Sequence, residues 1–130
     1  MHKGEILLSP SQMDKDSFYY YELGEESIQN GEINMAIKYY LMSVRCRKHF
    51  KTFERLYECY CKLDQMDLAY YFLQLAYEEN SNNDKVAFLY SLCMIQENRK
   101  DRAKEILLSI IKRNPNYKKA KIEYEKISKP

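Results

Sequence analysis

Apolar residues recur along most of the chain three and four positions apart, the spacing of a helix face, and short polar stretches with turn-forming residues interrupt them. Aligning the chain with itself shows the pattern to be periodic. NGEINMAIKYYLMS at residues 30–43 lies in register with LDQMDLAYYFLQLA at 63–76 and ENRKDRAKEILLSI at 97–110, offsets of 33 and 34 residues. Gly31, Asp64 and Asn98 share one register. These residue types tolerate the left-handed conformation that closes a helix, so each marks a turn. Five residues on come Ala36, Ala69 and Ala103, where a small side chain implies closely approaching helices. Leu23, Leu56 and Tyr90 form another register, preceded by Tyr20, Phe53 and Ala87, and Tyr40, Leu73 and Leu107 form a further one. Each unit therefore predicts a helical hairpin. Ser9-Pro10-Ser11-Gln12 reads as a capping box with proline at the first helical position, so the first helix is expected to begin there and run to about Asn30. Beyond Pro115, Ala120, Tyr124 and Ile127 form a narrow apolar stripe beside Lys119, Glu123, Lys126 and Lys129, the pattern of a terminal capping helix.

With these registers in place the chain resembles the tetratricopeptide repeat family. Tyr20, Leu23, Gly24, Gly31, Ala36 and Tyr40 match its signature in the first unit, and Asn114-Pro115-Asn116 matches its inter-repeat turn. Ser27, Tyr57 and Ala87 depart from the pattern, where the family has Tyr, a small residue and a large aromatic. The resemblance implies an all-α fold, a right-handed α-solenoid of three antiparallel helical hairpins with a C-terminal capping helix. Residues 1–16 would be an N-terminal segment leading into the first helix, 17–49, 50–83 and 84–117 the repeats, and 118–130 the cap. It further implies a non-enzymatic adaptor or scaffold that takes a peptide or helix of another polypeptide in its concave groove. The groove positions would be Tyr21, Glu25 and Ile28, then Lys51, Glu54, Arg55 and Glu58, then Lys85, Phe88, Leu92 and Ile95. Phe88 and Leu92 are expected as the anchor pocket, with Lys51, Arg55 and Lys85 orienting the partner.

One specialisation of the family, the clamp for the C-terminal carboxylate of heat-shock chaperones, requires Lys and Asn at Tyr21 and Glu25, Asn at Arg55, and Lys and Arg at Lys85 and Leu89. Only Lys85 agrees, and a Glu facing an incoming carboxylate repels it, so a chaperone tail is not the expected ligand. On the opposite face, Leu68, Tyr71 and Leu75 with Met35 and Met42 form an apolar patch ending at Arg102 and Ser109. This patch is expected to join two copies as a homodimer, or to be covered by Ile6, Leu7 and Leu8 of the same chain.

Composition narrows the alternatives. At 130 residues, with 45% hydrophobic and 31% charged residues, the chain reads as one domain. Three Gly and three Pro favour helices over a sandwich or barrel. Ile6 to Leu8 is too short for a signal core or membrane span and Gly4 is misplaced for myristoylation, so no membrane is expected and the address is cytoplasmic. Cys46, Cys59, Cys61 and Cys93 lack metal-ligand spacing and read as reduced structural thiols. His2 and His49 have no spaced nucleophile, and Gly4, Gly24 and Gly31 are isolated, so catalysis, cofactor and nucleotide binding are not indicated. Glu25, Glu54 and Glu58 could in principle hold a cation, but balance by Lys51, Arg55 and Lys62 is the favoured reading, with Glu58 and Lys62 in the better helical order. Net charge is +2 overall, yet residues 99–130 carry 11 Lys or Arg against 4 Asp or Glu. This basic end is the sole support for nucleic-acid binding, which is disfavoured because most of the 13 tyrosines sit at core registers.

Overall fold

The computed structural model describes residues 9–130, so Ile6, Leu7 and Leu8, weighed above as a cover for the apolar patch, lie outside them, as do His2 and Gly4. Among the described residues seven helices follow one another: α1 (Pro10–Gln29), α2 (Ile33–Cys46), α3 (Phe50–Lys62), α4 (Met66–Glu79), α5 (Asp84–Gln96), α6 (Lys100–Arg113) and α7 (Lys118–Ser128). Their packing is chiefly between neighbours in sequence, tightest within the pairs α1/α2 and α3/α4. The result is an all-α stack of hairpins.

Local chemistry explains where the helices begin. Ser9 caps α1 by accepting the Gln12 N–H at 3.1 Å, with Pro10 in the first helical turn. His49 accepts from Lys51 N–H at the start of α3, and Asn83 from Val86 N–H at the start of α5. Within each hairpin the ends share one device. Gly31, Asp64 and Asn98 have φ of 75°, 55° and 61°, and the amide after each bonds back to Ser27, Tyr60 and Met94 respectively at 2.8–2.9 Å. With the bonds of shorter sequence span from the Gly31 amide to Ile28, Asp64 to Cys61 and Asn98 to Ile95, these are three Schellman turns. A left-handed residue reverses the chain in so little length that the next helix must lie antiparallel against the last.

Ala36, Ala69 and Ala103 are fully buried, as are Tyr40, Leu56, Leu73, Ile106, Leu107 and Ile110. In the first hairpin Gly24 leaves room for the α2 side chain packed on it, since an added β-carbon would lie 2.5 Å from the Tyr40 ring. Ser27, the departure from the aromatic pattern, is buried and bonds its hydroxyl to the Leu23 carbonyl at 2.9 Å. Ser17 and Ser43 likewise join α1 to α2 inside the stack, the Ser43 hydroxyl donating to the Ser17 carbonyl at 2.7 Å. Of the tyrosines at core registers only Tyr40 is fully enclosed; Tyr60 stacks on Phe72, and Tyr77 on Tyr90, with half-buried rings. Cys46, Cys59, Cys61 and Cys93 are free thiols. No helix among the described residues is long and apolar enough to cross a membrane.

Candidate binding groove

The first helices of the three hairpins, α1, α3 and α5, are tied directly to one another by ion pairs. Glu25 on α1 accepts the Tyr40 hydroxyl at 2.5 Å and Arg55 Nε of α3 at 2.9 Å. A second guanidinium nitrogen of Arg55 reaches Glu58 Oε1 at 2.8 Å. On the other side of α3, Glu54 is held by Lys85 of α5 at 3.0 Å and Lys51 at 3.5 Å, while Lys85 also stands 3.9 Å from Glu58. Three carboxylates and three cations form one continuous network spanning three hairpins. Lys62, expected to balance Glu58, is not among these partners: Glu58 instead meets Arg55 one turn back and Lys85 across the gap to α5, both within reach of its two oxygens.

Glu54 is the buried member, only 2% exposed. Burial pushes its pKa up, yet the hydrogen bond and charge of Lys85, with Lys51, outweigh that and hold the carboxyl below its ordinary value. The hydrogen bond to Glu54 correspondingly raises Lys85. Burial, then the Glu25 charge, raises Tyr21, and burial together with the bond to Glu25 raises Tyr40. Burial works against charge on Arg55, but its bonds to Glu58 and Glu25 prevail and raise it. Glu54, Arg55 and Lys85 are each shifted toward their charged form, and the six side chains of the network largely satisfy one another's charge and hydrogen bonds.

Apolar surface lies to either side of this network. Phe88 and Leu92 on α5 are half-buried, and the Phe88 ring packs at 5.8 Å from that of Tyr117, the residue capping α7. At the other end Phe18 is 64% exposed. It lines a cavity of about 340 Å³ together with Tyr21, Ser17 and Thr52, and with Asp14, Arg47, His49 and Lys51. Arg47 and Asp14 pair at 3.0 Å on its rim. Of the residues lining this cavity, only Tyr21 and Lys51 were expected from the sequence; Asp14, Ser17, Phe18, Arg47, His49 and Thr52 were not. For Phe18 the signal was present, because it shares a register with Lys51 and Lys85; Arg47 and His49 sit in the loop between hairpins, which no periodicity describes.

On the opposite face Met35, Leu68 and Tyr71 are exposed, Tyr71 to 56%, whereas Met42 is half-buried and Leu75 is half-buried against the core. On the third hairpin Leu108 is also exposed, while the positions in register with Leu68, Tyr71 and Leu75 are Arg102, Glu105 and Ser109. The patch expected at these positions thus divides into a solvent-facing part and a packing part.

The profile of the tetratricopeptide repeat family matches residues 56–122. Among solved structures, the first tetratricopeptide repeat domain of Spaghetti (RPAP3) bound to the HSP90 peptide SRMEEVD superposes with a TM-score of 0.67 at 19% identity, over 88% of this chain and 92% of that one. The second such domain of human RPAP3, in complex with the HSP70 peptide SGPTIEEVD, gives 0.64 at 16% identity over 94% and 100%. The Arabidopsis OM64 domain gives 0.66 at 14% identity over 89% and 97%. No curated protein sequence is matched by the chain.

Proposed function

The chain belongs to the tetratricopeptide repeat family, and from that premise we propose that it is a non-enzymatic interaction module holding a segment of a partner polypeptide against α1, α3 and α5. The observation that carries this reading is the division of the groove: a self-neutralised centre of Glu25, Glu54, Glu58, Lys51, Arg55 and Lys85 flanked by accessible apolar side chains, Phe18 and Tyr21 at one end and Phe88 and Leu92 at the other. Apolar side chains left open beside a rigid polar floor are what a bound peptide's anchors require. Solved relatives of the same fold hold heat-shock peptides, which supports peptide binding as the mode. A tail of that kind is disfavoured as ligand here, because its carboxylate would face Glu25, whose own donors are already Tyr40 and Arg55. The proposed compartment is the cytoplasm, where four free thiols persist. The test is affinity copurification to obtain the partner, followed by titration with a Phe88→Ala, Leu92→Ala variant. Weakening by about tenfold or more supports the placement, and unchanged affinity removes it.

A second reading rests on the exposed Met35, Leu68 and Tyr71. Large apolar side chains exposed on neighbouring hairpins can mark a contact site, and the same surface meeting itself about a two-fold axis would make a homodimer. Leu75 packs against the core, so Leu68→Glu with Tyr71→Glu is the informative pair. Light scattering should show a dimer reverting to folded monomer; a wild type monomeric at high concentration discards this reading.

A further inference from the structure

The registers that define the groove continue one helix beyond the hairpins. Ala120 is fully buried and lies 34 residues after Val86, itself fully buried, so α7 presents its faces as α5 does. In that register Lys119 follows Lys51 and Lys85, Ile122 follows Glu54 and Phe88, and Lys126 follows Glu58 and Leu92. Ile122 is 52% exposed, although its neighbours in the stripe, Tyr124 and Ile127, are half-buried. Tyr117 at the head of the helix joins this wall to Phe88. This end is less completely neutralised than the centre of the groove, since the one ion pair of α7 among the described residues is the solvent-exposed contact of Lys126 with Glu123. Lys119 is exposed, Lys126 is exposed and stands 3.4 Å from Glu123, and the last 32 residues carry the chain's excess of cations.

We infer that the groove extends onto α7 and that the segment it holds is an acidic peptide with bulky apolar side chains, the apolar groups meeting Phe88, Leu92 and Ile122 and the carboxylates meeting Lys119 and Lys126. The inference rests on the groove reading above and names its partner's chemistry. Charge complementarity sets the sign, since a cationic wall favours an anionic partner and repels a cationic one. The choice of polypeptide over nucleic acid follows from the side chains between the lysines. Single strands are held by exposed aromatic platforms; here the exposed apolar group is aliphatic Ile122, while the Tyr117 ring is packed against Phe88.

The experiment is fluorescence anisotropy on the full chain, with a labelled synthetic peptide of Glu and Asp interspersed with Leu and Phe. Its comparators are the same peptide with Leu and Phe replaced by Ser, a Lys-for-acid counterpart, and oligouridine. Saturable binding of the acidic apolar peptide is expected, weakened about tenfold by the Ser replacement and about tenfold by Lys119→Glu with Ile122→Asp, two exposed positions whose variant should retain its circular dichroism and melting curve. No binding up to about 1 mM overturns the inference. So does unchanged affinity of the Lys119→Glu, Ile122→Asp variant, or tighter binding of oligouridine than of the acidic peptide. Loss of binding in Phe88→Ala, Leu92→Ala but not in the α7 variant would leave the groove standing and remove its extension, whereas retention in both variants would remove both.

Discussion

At the scale of single residues, the smallest side chains carry the sharpest constraints. Ala69 is fully enclosed, so Ala69→Leu should destabilise the fold by about 1–3 kcal/mol through overpacking. Gly24→Ala should cost a similar amount, because the Tyr40 ring it would meet is buried and fixed by its hydroxyl on Glu25. Urea melts of the two variants check both, and a neutral Ala69→Leu would contradict the close helix approach. Thiols give an independent probe. Burial pushes Cys59 and Cys93 up to about 11, so at neutral pH both should resist alkylation until the protein unfolds, as peptide mapping after iodoacetamide treatment would show. These positions were legible in the sequence because a repeated small residue has one physical meaning wherever helices touch. Phe18 was overlooked for the opposite reason: an exposed aromatic in the first unit has no preceding unit to align with, and only its successors Lys51 and Lys85 reveal its row.

Among elements, the turns were the most legible and the ion pairs the least. Gly31, Asp64 and Asn98 could be placed because a left-handed residue is a property of the local backbone. Asp64 and Asn98 nevertheless hold a conformation that costs an L-residue about 1–2 kcal/mol. Asp64→Gly should therefore stabilise the protein by about 0.5–1 kcal/mol after glycine's extra unfolded-state freedom is set against it, and Asp64→Val should destabilise it. Thermal melts with opposite shifts for the two substitutions are the expected outcome. The partners of Glu58 could not be read in the same way. Sequence spacing favoured Lys62 on the same helix, but the carboxylate turns to Arg55 and to Lys85 of another hairpin, a relation set by how α3 and α5 stack. Helix spacing predicts neighbours along one rod; it is silent about the next rod.

For the whole molecule, the network that runs from Glu25 to Lys85 makes stability depend on pH. The Glu54 carboxyl sits below its ordinary value of 4.5 in the folded protein, so its contribution is fully present above that value and is lost as pH falls through the folded pKa. Stability should hold from neutrality down to about pH 4.5 and decline below it, and Glu54→Gln should flatten that decline while lowering stability at neutral pH. Denaturant titrations across the range would test this; an unchanged acid limb in the variant would assign the decline to other carboxylates. The stacked-hairpin architecture was legible in full, because periodicity encodes it, whereas the partition of the convex patch was not. Whether Leu75 faces water or core depends on the angle at which hairpins stack, which a linear pattern does not contain. Finally, packing that falls chiefly between sequence neighbours bears on how the chain reaches this state at all. Little loop closure has to precede the first stabilising contacts, so folding should be fast and could begin within any one hairpin before spreading outward. Links such as Glu25 to Arg55 and Glu54 to Lys85 would then form late, slowing unfolding more than they speed folding.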